Sequence, residues 1–129
     1  MKICIIDIEK EKGNICITGR TSIGSIKGRW ICETKPVIGE DYFIELALPE
    51  VRRKSVTISE QNQNSVCIQD DMIVFTGICE NIDDVYDIRF AIDWLEIIEI
   101  GNDDFDINIG DRVSFSVKYD SIEVYPYSM

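Results

Sequence analysis

The chain reads as an all-β domain, an antiparallel β-sandwich or small barrel with at most one short helix. Three observations predict this. Roughly ten short segments rich in β-branched and aromatic residues recur at hairpin spacing. The clearest of them alternate apolar and polar residues with period two. Turn residues separate them, and only one stretch carries a helical period. With 129 residues and 45% hydrophobic content, residues 1–129 form one domain large enough to bury its own core.

The elements follow in order. "ICIIDIE" (3–9) passes through the turn "KEKGN" into "ICITG" (15–19), a hairpin with unequal arms. "KGRWIC" (27–32) follows the Gly/Ser-rich "SIGS". In "TKPVIGEDYFIELALPE" a turn at Gly39 opens a strand with Tyr42, Ile44, Leu46 and Leu48 on one face. "SVTIS" (55–59) and "SVCIQ" (65–69) flank the polar loop "EQNQN". "MIVFTGICENI" (72–82) and "VYDIRFAIDW" (85–94) bracket a hairpin turn at Asp83-Asp84. The second of these places Tyr86, Ile88, Phe90, Ile92 and Trp94 on one side. "RVSFSVKY" (112–119) turns at Asp120-Ser121 into "IEVYPY" (122–127).

Residues 92–100 admit two readings. Asp93, Glu96 and Glu99 recur every three residues, which suits a short helix ended by Gly101. The favoured reading is a bulge near Trp94 and then a strand, "LEIIEI". Both readings expose the three carboxylates. "PVIGEDYFIEL" (36–46) and "INIGDRVSFSV" (107–117) echo one another. Turn-to-strand entries commonly share this form, and a duplicated barrel half is the alternative.

Composition narrows function. No histidine is present, which excludes Ser-His-Asp and Cys-His catalysis. Cys4, Cys16, Cys32, Cys67 and Cys79 are odd in number and form no CxxC knuckle, so buried, free, structural thiols are expected. No apolar run is long enough for a membrane helix, and no secretory leader is legible, so the expectation is cytoplasmic. "NDDFDINIGD" (102–111) comes close to a calcium loop, but its glycine falls one position late and no terminal glutamate follows. Asp70-Asp71 and Asp83-Asp84-Asp87 read as turn acids, and "VRRKS" (51–55) as a solvated turn or an ion-pair partner for the acidic half. The glycines of "TGRTSIGSIKG" fit no phosphate-binding pattern. The expectation is therefore a non-enzyme without metal or cofactor.

Charge is the strongest functional signal. Residues 1–54 hold ten Lys/Arg against eight Asp/Glu, a net of +2. Residues 55–129 hold three against sixteen, a net of −13. Within 81–106 lie nine carboxylates and one arginine. Such a surface repels nucleic-acid phosphates and anionic lipid and attracts basic proteins. The candidate contacts are Asp83, Asp84, Asp87, Asp93, Glu96, Glu99, Asp103, Asp104 and Asp106. Tyr86 and Trp94 are candidate anchors if exposed.

"WICETKPVIGEDYFIEL", "VYDIRFAIDWLEIIEI" and "INIGDRVSFSVKYDSIEVYPY" resemble, in the order of their elements, small bacterial immunity proteins. These are partners of polymorphic toxins, including contact-dependent growth-inhibition systems. The resemblance covers about half the chain and carries over no binding residue. It implies a protein that neutralises a cognate toxin domain, a basic nuclease being the natural complement of an acidic surface. An OB-like barrel serving as a binding module for nucleic acid or another protein is the alternative, since "IGDRVSFSV" resembles a strand entry of that fold.

Overall fold

The computed structural model describes residues 1–52, 56–101 and 107–127. Its strands are β1 (Lys2–Glu11), β2 (Asn14–Thr21), β3 (Gly24–Trp30), β4 (Asp41–Ala47), β5 (Val51–Arg52), β6 (Thr57–Ile58) and β7 (Ser65–Gln69). They continue with β8 (Met72–Ile82), β9 (Tyr86–Ala91), β10 (Trp94–Ile98), β11 (Ile100–Gly101), β12 (Arg112–Lys118) and β13 (Glu123–Pro126). Strands make up 64% of the structure and no helix reaches seven residues, so the strand reading of residues 92–100 holds over the helix. No helix among the described residues is long and apolar enough to cross a membrane.

Five strands close a barrel. β1 pairs with β2, β2 with β3, β3 in parallel with β13, β13 with β4, and β4 returns to β1. This order is that of an OB-type barrel. Closure removes the edges a flat sheet would leave open. The "KEKGN" turn forms as expected, with Lys12 and Gly13 both at positive φ, as a two-residue hairpin of this twist requires.

Of the remaining strands, β6 to β10 and β12 build a second sheet beside the barrel, and β5 and β11 form a separate parallel pair. β8 carries β12 on one edge, and β7 and then β9 on the other; β9 carries β10. The only β-ladder joining the two parts among the described residues is the parallel pair Gly24–Val66 between β3 and β7. The core is nevertheless continuous, and its aromatic centre lies under the second sheet. Phe75 stacks on Phe115 at 5.2 Å between ring centres, and Phe90 meets Trp94 at 5.0 Å.

The sequence echo extends into hydrogen bonding. Gly39 (φ 89°) and Gly110 (φ 97°) occupy equivalent turns, closed by Glu40 N–H to Val37 and by Asp111 N–H to Asn108. Gly39 N–H donates to Ile5, whose own N–H donates to Glu40. Gly110 N–H likewise donates to Cys79, whose N–H donates to Asp111. In both places a bulge interrupts the long strand just beyond, after Ile5 in β1 and after Cys79 in β8. The order β1-β2-β3-β4 is thus repeated as β8-β9-β10-β12, which favours the duplicated-half alternative. Among the described residues the second copy has no equivalent of β13 to close it.

Two expectations are corrected. β9 ends at Ala91 and the chain reverses at Ile92-Asp93, leaving Ile92 99% exposed instead of aligned with Phe90. Reversal lets Trp94 pair back on Ala91 and pack against Phe90 from the return strand, with the expected bulge beside it. The Arg89 guanidinium braces the turn by donating to the Ile92 carbonyl. The five cysteines are free, but only Cys16 and Cys79 are buried; Cys32 and Cys67 are exposed. Cys67 points outward from β7 between inward-facing neighbours, and Cys32 lies past the end of β3. In the native protein Cys32 and Cys67 should react with a thiol reagent within minutes. Cys16, its thiol pushed up to about 11 chiefly by burial, and Cys79 should react only in denaturant. Counting modified thiols with and without urea checks this.

Candidate functional site

Residues 81–101 of the acidic stretch fold into the β9–β10 hairpin and its flanking segments. Asp83 and Asp84 form the β8–β9 turn, held by Asp83 N–H to the Val85 carbonyl, and both are exposed. Asp87 lies on the outer face of β9 opposite Ile97. Asp93 sits at the other end of the hairpin, about 20 Å away at the usual rise per strand residue. Glu99 is exposed just beyond β10. Asp103, Asp104 and Asp106 lie outside the described residues. The acids therefore line a hairpin from end to end and do not converge on one point.

Four cations elsewhere are engaged in ion pairs among the described residues. Lys2 pairs with Asp41, Lys27 with Glu9 and Glu11, Arg29 with Glu123, and Lys118 with Asp71. Arg89, the one cation inside the acidic stretch, makes a two-pronged pair with Glu80 at 3.0 and 3.2 Å. None of these ion pairs takes in Asp83, Asp84, Asp87, Asp93 or Glu99.

Residues 92–100 depart from the expectation that all three of their carboxylates face water. Along Trp94–Ile98, Trp94 and Ile98 are buried, Leu95 and Ile97 are 38% and 66% exposed, and Glu96 lies on the inward side between the two buried residues. Period two, not the three-residue spacing of the acids, decides which way each points. Glu96 accepts a hydrogen bond of 2.7 Å from the Trp94 indole N–H. Burial pushes its carboxyl up to about 7, with Glu45 adding to the push against the pull of the indole and of the Met1 ammonium. Trp94, only 2% exposed, is a core residue and no surface anchor; Tyr86 is half-buried.

Glu96 opens on a cleft of about 430 Å³ between β10 and β4, walled by Asp93–Ile97, Ile44–Leu46, Met1 and Tyr127. Tyr127, an aromatic weighed from sequence as core, rim or anchor, belongs to this site, as do Glu45, Leu95 and Ile97, which were not singled out from sequence. The legible signal was "LEIIEI" itself, a strand apolar on both faces. Phe43 lies beside Tyr127, their rings 6.3 Å apart, and extends the apolar rim.

Other constellations do less. Asp70-Asp71 is an exposed turn between β7 and β8. Glu11 accepts from the Tyr119 hydroxyl at 2.6 Å and from Cys16, while Lys27 lies 4.1 Å above the Tyr119 ring. Burial first and Glu11 second hold the Cys16 thiol protonated against the pull of Lys27, the opposite of what a nucleophile needs. No group of three or more potential metal ligands gathers among the described residues. Compared with family models, with curated proteins and with solved structures, the chain matches none.

Proposed function

We propose that this protein is a non-enzymatic binding domain that captures a basic protein, in the manner of an immunity protein neutralising a cognate toxin domain. One observation carries the reading. Asp83, Asp84, Asp87, Asp93 and Glu99 stand along one hairpin outside every ion pair formed among the described residues, while Lys2, Lys27, Arg29, Arg89 and Lys118 are tied to other carboxylates. Unneutralised charge along one face raises self-repulsion and steers an oppositely charged partner. Steering matters where a toxin must be caught before it acts, and it works through the association rate.

Replacing Asp83, Asp84 and Asp87 together by asparagine should slow association with a basic toxin domain about tenfold at low salt and flatten the salt dependence. Dissociation should change less. Stopped-flow association across a salt series reads this out, and an unchanged rate and salt slope would remove the acidic hairpin from recognition.

The OB-type order of the barrel favours a second reading, a nucleic-acid module. Against it, Lys27 and Arg29, the cations on the outer side of β3, are paired with Glu9, Glu11 and Glu123. A gel-shift series with single-stranded oligonucleotides at low salt should show no retardation; retardation would reverse the order of the two readings.

A further inference from the structure

We propose that the partner docks by adding a β-strand to the free edge of β10, and that this strand alternates apolar and basic residues. The inference rests on the basic-partner reading above and specifies how that partner is held. β10 ends the strand order of its sheet, and among the described residues no strand pairs with its outer edge. Hydrogen-bond alternation identifies the groups on that edge. Cys79 turns its amide and carbonyl to Asp111 and Gly110, so Ile78 bonds Arg89 on the other side. Ile88 then faces β10 and bonds Glu96. Leu95 and Ile97 are left with their N–H and C=O groups directed into the cleft.

The opposite wall is β4, which pairs with β13 on one side and with β1 on the other as far as Met1. Ile44 donates to the Met1 carbonyl and accepts from the Met1 amine, so alternation directs the amide and carbonyl of Leu46 into the same cleft. The cleft thus offers room for a few residues of extended chain between the outward backbone groups of Leu95 and Ile97 and those of Leu46. Unpaired edges of this kind are templates for strand addition.

Side-chain chemistry selects the occupant. A residue seated opposite Leu95 or Ile97 shares their outward apolar face, whereas its neighbour, opposite Glu96, points toward that carboxylate with Asp93 and Glu45 close by. Apolar residues on the first face and lysine or arginine on the second satisfy both. A second copy of this chain is a poor occupant, because β10 paired with itself brings Asp93, Glu96 and Glu99 against their own kind.

The test uses a short capped peptide of alternating valine and lysine added to the full-length protein, followed by amide NMR and hydrogen exchange. Binding should perturb and protect the Leu95 and Ile97 amides. N-methylating the valines, whose amides face β10, should weaken binding about tenfold or more, while N-methylating the lysines should weaken it much less. A peptide with glutamate in place of lysine should not bind. Absence of binding by the lysine peptide, or equal binding by all its N-methylated forms, overturns strand addition. In the latter case attraction to the acidic face survives without it. Equal binding of the glutamate peptide instead overturns the basic-partner reading. Sedimentation as a dimer that Ile97→Lys abolishes would overturn the choice of occupant in favour of a second copy.

Discussion

Gly24→Ala is expected to destabilise the fold by about 3–5 kcal/mol, enough to remove much of the stability of a domain this size. A Cβ at this position would lie 1.8 Å from the Val66 carbonyl oxygen and 3.0 Å from its carbon. Those atoms are backbone and cannot rotate aside. Gly24 also holds φ at 141°, a conformation costly for any residue with a side chain. The surroundings fix both strands: Val66 N–H donates to Ile23, and Thr21 Oγ1 donates to the Gly24 carbonyl while accepting from Ile23 N–H. The contact is also where β3 meets β7, so relief by separation would part the barrel from the second sheet. Gly13→Ala provides the comparison, because φ there is 82° but nothing lies within 4 Å of the added carbon. That change should cost only about 1–2 kcal/mol. Urea unfolding of the two variants separates the steric part from the conformational part, and equal losses would mean that β3 and β7 are not in this contact.

The local grammar of the fold was legible because it is written in neighbouring residues. Asp83-Asp84 and the glycine of "KEKGN" mark hairpins, and alternation in 42–48 and 86–90 names the buried faces. The closure of the barrel was not legible. It depends on β13 lying parallel to β3, some ninety residues earlier in the chain, and no local pattern encodes such a pairing. The same limit applies to the site. Counting charges located the acidic hairpin, but the free edge of β10 is a property of which strands pair. Glu96 was misplaced for a different reason: a carboxylate was assigned to water by its type, whereas strand register placed it between Trp94 and Ile98. Local preference and observed position conflict there, and such conflicts concentrate at functional sites.

That conflict has a measurable signature. Glu96→Gln is expected to stabilise the protein by about 1–3 kcal/mol at pH 8 and to change it little near pH 4.5, the partial exposure of the carboxyl setting the lower figure. The folded carboxyl titrates near 7 against an ordinary value of 4.5, so between these limits the folded state holds a proton that the unfolded state has released. Stability therefore falls as pH rises from about 4.5 to 7 and stays low above it. Glutamine never ionises, and its amide oxygen can still accept from the Trp94 indole. Urea unfolding of both proteins at the two pH values is the check, and parallel curves would show that Glu96 is not titrating in the cleft. A cation seated beside Glu96 should stabilise its ionised form. Binding of a lysine-bearing strand near pH 6.5 should then release protons, detected as a dependence of calorimetric heat on buffer ionisation. Ionised Glu96 is thus unfavourable in the free domain, and a cation of the proposed partner would relieve it, so the proton release tests that proposal.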